Sequence, residues 1–408
     1  MNKIGVTSEV GRLRAVLLHR PGRELESLTP QYLDSMLFED IPYLEHMQYE
    51  HDQFADLLRK QGCTVYYIEQ LLNEVFSDNS LRTSAISYLV DTSQLFSPSL
   101  KESIRLHLEH ASTADFVSYC IGGLLKSDID DKVRHKTLSY YIRDAYPYYI
   151  APLPNLYFTR DPATVVGSSV AIHTMKTEAR RRENWLLSLI AQHHPLFASY
   201  RIHSDYSHGS SIEGGDVLIL NDSCAAVGSS ARTDVWAIEA FAKRILSPPE
   251  VGGEGMQEVL VIQIPYTRAY MHLDTVLTMV DVDTFSLYGG VASALRIFSM
   301  TLGRGNNLRI QEETNFQDAC RRILRVPAVR ILHSGGNDKI VAAREQWNDS
   351  TNTLAIAPGK VVTYKRNTVS NDLLERHGIS VLPIDGSELV RGRGGPRCMS
   401  MPLVRESL

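Results

Sequence analysis

The chain has 408 residues, 43% of them apolar and 22% charged, with a formal net charge of -5. That balance supports one large globular domain or two to three ordinary ones, and the acidic excess excludes a nucleic-acid binder led by phosphate attraction while leaving room for a local basic pocket. The five cysteines, Cys63, Cys120, Cys224, Cys320 and Cys398, are scattered without a CxxC pair, which gives neither a zinc knuckle nor a disulfide framework and fits a reducing cytoplasm.

The N-terminal stretch MNKIGVTSEVGRLRAV lacks the long apolar core of a signal peptide. No run approaches the roughly 18 apolar residues of a membrane span. The expectation is a cytoplasmic protein with no membrane or nucleic-acid partner.

Arg14 to His19, closed by Pro21-Gly22, reads as a buried strand. A helix is expected from about Tyr43 to Gln61, stopped by Gly62, and a strand from Thr64 to Ile68. From about Asn79 to Tyr149 the pattern turns helical. Ser99 and Glu102 have capping-box spacing, and Val117, Cys120, Ile121 and Leu124 fall on one helical face. Residues 79–149 are therefore expected to form an inserted all-helical module, with 1–78 and 150–408 making up the rest of an α/β protein.

From Ala151 onward short strands and helices alternate. Asp216 to Leu220 and Cys224 to Gly228 read as strands, and Arg232-Thr233-Asp234 then opens a helix. Near the C-terminus, Thr353 to Ala357 and Val361 to Tyr364 read as strands. Arg366-Asn367-Thr368, a helix ending at Gly378, and a strand from Ile379 to Ile384 follow. The likeness of the two stretches points to a duplicated αβ unit.

Cys398 lies in the run Arg391-Gly392-Arg393-Gly394-Gly395-Pro396-Arg397-Cys398. A lone cysteine is most often a small buried hydrophobe. The glycines could cradle phosphate, but no Gly-Lys-Ser/Thr follows, and an RGG-type RNA contact needs longer repetition. The remaining reading is a loop that closes a cysteine and an arginine into a site, where Arg393 and Arg397 would favour thiolate if they face it.

In Met271-His272-Leu273-Asp274-Thr275-Val276, the alternation continued by Thr278 and Val280 reads as a strand. His272 and Asp274 would then share a face, either as polar residues on a solvated surface or as an acid/base histidine beside a carboxylate. Glu213-Gly214-Gly215-Asp216 precedes the VLIL strand, as a plain turn or as a carboxylate at a strand mouth. Asn155 to Pro162 is either a turn or a substrate-facing Asp161 with Phe158 as its apolar wall. Arg180-Arg181-Arg182 opens a helix against the dipole preference for anions, which hints at holding a carboxylate. His193, His194, His203 and His208 lack metal-ligand spacing.

Taken in order, NLYFTRD, EARRRE, EGGD, SSART, MHLD, GGND and RGRGGPRCMSMP resemble arginine deiminase, within the guanidine-modifying enzyme superfamily. The resemblance runs from about residue 5 to the C-terminus and includes the opening EVGRLRAVLLHRPG. It implies a five-bladed, pseudo-symmetric α/β propeller with an inserted helical bundle, and hydrolysis of L-arginine to L-citrulline and ammonia without metal or other cofactor. It also allows a homo-oligomer. By position, Cys398 is similar to the family nucleophile, His272 to its acid/base and Glu213 to the carboxylate beside that histidine. Asp161 and Asp274 are similar to the guanidinium-gripping acids. Asn155, Arg180 and Arg232 are similar to the groups that hold the substrate's α-carboxylate end, with Arg180 favoured over Arg181. Gly392 and Arg393 lie on the family's mobile loop.

The chemistry suits these residue types. A guanidinium is planar, cationic and resonance-stabilised, and it pairs with carboxylates in bidentate geometry. A covalent route through a thiol divides a hard displacement into two easier ones. An amidinotransferase or a dimethylarginine hydrolase could use the same groups, and a non-catalytic arginine binder is a further alternative.

Overall fold

Leu13–Leu18 pairs antiparallel with Met401–Arg405 and parallel with Thr64–Tyr67 in the computed structural model, so the two ends of the chain share one sheet. The structure describes residues 5–93, 95, 97–129, 147–203 and 209–408. Leu44–Lys60 connects the two parallel strands and buries Met47, Phe54, Ala55 and Leu58. That three- and four-residue spacing is what a helix needs to present one apolar stripe to a sheet.

The same pattern recurs along the chain. Ala163–Val166 pairs antiparallel with Ser169–Ile172, which pairs parallel with Arg201–His203. Val217–Asn221, Cys224–Ser229 and Glu258–Gln263 repeat it. So do Leu277–Asp281, Thr284–Tyr288 and Arg330–Ser334, and then Leu354–Ala357, Lys360–Tyr364 and Ser380–Ile384. In each, a helix runs between the second strand and the third: Arg181–His193, Val235–Leu246, Phe316–Leu324 and Thr368–Arg376. A parallel return of this kind requires such a crossover. A hairpin of Arg296–Leu302 and Leu308–Glu312 extends the unit that starts at Val217.

Among the described residues of the 79–149 stretch, Asn79–Thr92, Pro98–His110 and Thr113–Gly122 are helices. Leu124–Leu125 pairs with Tyr148–Ile150 as short strands, so Leu124 lies outside the helical face assigned to it. Residues 130–146 and His208 lie outside the described residues. The cap of Pro98–His110 is Ser97, which accepts from the Leu100 N–H at 3.4 Å, and Ser99 sits inside the helix. Proline in the first turn sets that boundary. Among the described residues, no helix is long and apolar enough to cross a membrane.

Candidate active site

Each of the five units ends its approach to the first strand in a turn, and these turns converge. Asp161 stands just before Ala163–Val166, and Glu213 opens the turn Gly214–Asp216 ahead of Val217–Asn221. His272 and Asp274 flank Leu273 ahead of Leu277–Asp281, Asn352 precedes Leu354–Ala357, and Cys398 precedes Met401–Arg405. All of these side chains are buried.

They converge on one pocket. Asp161, His272, Cys398, Arg180, Arg232 and Arg393 line it, together with Asn155, Phe158 and Gly392. Glu213 and Asp274 stand behind that lining, against His272 and Cys398. Two further wall residues are Leu37, which carried no signal in the sequence, and Met271, which opens the MHLD motif but was given no role. Leu37 adopts φ 65°, a left-handed conformation that costs a non-glycine residue roughly 1–2 kcal/mol.

His272 and Asp274 do not lie on a strand as expected. Leu273–Thr275 is a 3-10 turn, and the strand begins only at Leu277. The turn is pinned by Asp216, whose Oδ1 accepts from the Leu273 N–H at 2.7 Å. Its effect is to separate the two side chains. His272 Nε2 meets Glu213 Oε2 at 2.7 Å, and its Nδ1 lies 3.9 Å from Asp161. Asp274 Oδ2 accepts from Arg397 Nη1 at 2.8 Å and lies 3.6 Å from Cys398 Sγ. Its Oδ1 has no hydrogen-bond partner among the described residues.

Charge is distributed in pairs. Burial pulls His272 toward neutrality, but Asp161, the bond to Glu213 and Asp216 outweigh it and raise its pKa to about 9. Burial likewise pushes Glu213 up, and His272, Arg232 and Arg180 reverse it to about 2. The result is a buried imidazolium–carboxylate pair. Burial holds the Cys398 thiol well above its ordinary value, reinforced by Asp274, Asp161 and Asp349 and opposed by Arg397. Gly215 lies at the closest approach, where a Cβ would stand 2.7 Å from the His272 ring and 3.0 Å from Asp161.

Arg180 is buried and Arg181 exposed. Arg180 reaches Asp161 through Nη1 at 2.6 Å and Glu183 through Nε at 3.0 Å and Nη2 at 2.8 Å. Arg232 lies 3.7 Å from Glu213. Arg393 rests its guanidinium 3.5 Å over the Trp347 ring, donates to the Ala269 carbonyl, and leaves Nε and Nη1 unbonded. Asn155 gives its Nδ2 to the Met36 carbonyl at 2.7 Å, so it ties the Leu37 segment to the pocket.

Asp161, Glu213 and His272 bring ligand atoms within 4.8 Å of one another. Each oxygen of the two carboxylates already accepts a hydrogen bond. Asp161 accepts from Arg180 and from the Gly215 N–H at 3.1 Å, and Glu213 accepts from His272 and the Lys176 N–H at 2.9 Å. The group is built as a hydrogen-bonded network rather than as open ligands for a metal.

The family model described as arginine deiminase matches residues 34–405. An arginine deiminase of Latilactobacillus sakei is 43% identical over 411 residues, covering 99% of this chain and 98% of the relative. One of Bacillus cytotoxicus is 44% identical over 414 residues, covering 99% of each. Among solved structures, an amidinotransferase of saxitoxin biosynthesis from Microseira wollei superposes with a TM-score of 0.56 at 12% identity, covering 100% of this chain and 98% of that one. A dimethylarginine hydrolase from Pseudomonas aeruginosa, complexed with citrulline, gives 0.52 at 14% identity over 96% of this chain and 99% of that one. At those identities the structural likeness shows a shared α/β fold.

Proposed function

Because the chain belongs to the arginine deiminase family, we propose a division of labour among its buried residues for that family's reaction. The function is arginine deimination, the hydrolysis of L-arginine to L-citrulline and ammonia. The observation that carries the mechanism is a cysteine sulfur, a charged histidine and the Asp161 carboxylate bounding one pocket, with Glu213 against the histidine and Asp274 against the sulfur.

Asp161 and Asp274 grip the guanidinium edge, which orients its planar carbon toward Cys398. Arg180 and Arg232, with Asn155 and the Gly392–Arg393 loop, hold the α-carboxylate end, and Phe158 walls the aliphatic stem. The bound cation offsets the acids that keep the thiol protonated, so the thiol gives up its proton to solvent and the thiolate forms where it is needed. Its sulfur bonds to the guanidinium carbon, and His272 protonates the departing nitrogen, which leaves as ammonia. The S-alkylthiouronium that remains is attacked by water as His272 takes the water's proton. Collapse of that adduct breaks the carbon–sulfur bond, frees the thiolate and releases the hydroxyl proton to solvent, leaving the ureido group of citrulline. Glu213 keeps His272 charged for the first proton transfer.

We further propose that the five sheet units close into a five-bladed propeller. The C-terminal strand completing the N-terminal sheet and the convergent turns support this. Residues 79–149 are the proposed inserted helical module of a catalytic domain formed by 1–78 and 150–408. A cytoplasmic location is supported by five free cysteines. The homo-oligomer is proposed for test by light scattering.

The direct test is a product assay with L-arginine, following citrulline and ammonia together, beside Cys398→Ser. Equal amounts of both products, lost in a folded variant, are expected. An amidino group passed to an amine, or methylamine released from methylated arginine in preference, would overturn the reading.

A further inference from the structure

Four of the five units supply the groups used above, each from the turn before its first strand. The fifth presents Asn352 at the same place, fully buried. Its Oδ1 accepts from the Cys398 N–H at 2.9 Å and the Gly395 N–H at 3.1 Å. Those two donors fix the amide's orientation, because the flipped amide would set its NH2 against them. Nδ2 therefore faces the sulfur, and it donates to Cys398 Sγ at 3.0 Å.

The surroundings hold this contact in place. A Cβ on Gly395 would stand 2.5 Å from the Asn352 carbonyl oxygen and 2.9 Å from its side chain. The turn itself is bonded through Asp349 N–H to Gln346, Ser350 N–H to Glu345 and Asn352 N–H to Asp349, at 2.9 to 3.0 Å. The Thr351 hydroxyl donates to the Thr275 carbonyl, which ties it to the turn that carries His272.

We propose that Asn352 is a catalytic residue, the fifth unit's contribution to the site, whose side-chain N–H stabilises the Cys398 thiolate. Sulfur is a weak acceptor as a thiol and a stronger one as an anion, so the bond strengthens when the thiol ionises. It acts against burial, Asp274, Asp161 and Asp349, all of which favour the neutral thiol. The proposal rests on Cys398 being the nucleophile.

The test is the pH dependence of Cys398 alkylation by iodoacetamide, mapped by mass spectrometry, with citrulline production measured alongside. It is run on the wild type, Asn352→Asp and Asn352→Ala. Asn352→Asp keeps an oxygen for the two backbone donors and removes the donor to sulfur. Asn352→Ala adds no charge, which separates the lost donor from an added carboxylate. In both, the midpoint of alkylation is expected to rise by at least about one pH unit, and kcat to fall about 10- to 100-fold, with KM changed less. If the alanine variant does not fold, an aspartate variant with the wild-type alkylation profile still overturns the proposal, since its lost donor and its added charge would both raise the midpoint. A folded variant with the wild-type alkylation profile and kcat overturns the proposal while the deiminase reading stands. A wild type that makes no citrulline overturns the reading instead.

Discussion

Arg180 donates through Nη1 to Oδ2 of Asp161 at 2.6 Å. One of the two acids proposed to grip the substrate's guanidinium is thus already paired with a guanidinium of the protein, and Asp274 is paired with Arg397 in the same way. Both Asp161 oxygens already accept a bond, so a substrate would use their remaining lone pairs, whereas Asp274 Oδ1 has no hydrogen-bond partner among the described residues.

Asp161→Asn should therefore impair both binding and chemistry, since it removes a charge shared by Arg180, His272 and the substrate. A loss of at least about 100-fold in kcat/KM is expected from one or two charge-assisted bonds. Steady-state kinetics on the folded variant measure it, and a loss under about threefold would remove Asp161 from the site.

Glu183 orients Arg180 from behind. Burial raises its pKa to about 7 despite the Arg180 charge. Glu183→Gln should loosen Arg180 and raise KM for arginine by about tenfold, the worth of one charged hydrogen bond, with a smaller change in kcat. A fall in kcat at constant KM would place Arg180 at the reacting end instead.

His272 is raised to about 9, so its acid form persists below that pH and is lost above it. The alkaline limb of kcat/KM, which reports the free enzyme, should fall through about pH 9. Glu213→Gln removes the hydrogen-bonded anion, and burial then favours neutral imidazole, so the limb should move to lower pH. An unmoved limb in that variant would assign the proton to another group.

His19, away from the site, lies between Glu24 at 3.0 Å and Glu69 at 2.7 Å. Burial opposes its charge, but Glu69 and Glu24 raise it from 6.5 to about 10. A raised histidine stabilises the fold fully below the unfolded value, and that stability is lost as pH rises from 6.5 through about 10. His19→Gln should lower Tm more at pH 6 than at pH 10. Equal losses at both would mean that packing, not charge, holds this corner.

Much of this was legible because local rules and the fold agree. The strand 13–18, the helix 44–60 and the paired strands at 217–229 and 354–364 follow from apolar runs closed by turn residues. Asp161, Arg180, His272 and Cys398 were legible through ordered motifs, and the structure brings them around one pocket. The strand reading at His272 went wrong because an alternating polar pattern also fits a 3-10 turn held by a distant acceptor, Asp216, that sequence spacing does not reveal. Ser97 rather than Ser99 caps its helix because Pro98 fits the first turn. Asn352 and Leu37 were missed because a neutral amide and an aliphatic side chain carry no chemical signature until the chain folds. The convergence of turns would have pointed to Asn352, but it depends on the whole sheet arrangement.

The central claim is that Cys398 carries a covalent intermediate. Acid-quenched single-turnover samples with L-arginine, digested and analysed by mass spectrometry, test it directly. An adduct of arginine less ammonia is expected on the Cys398 peptide, formed and lost within a turnover and absent from Cys398→Ser. Citrulline produced at full rate with that peptide unmodified at every time, or by the serine variant, would contradict it.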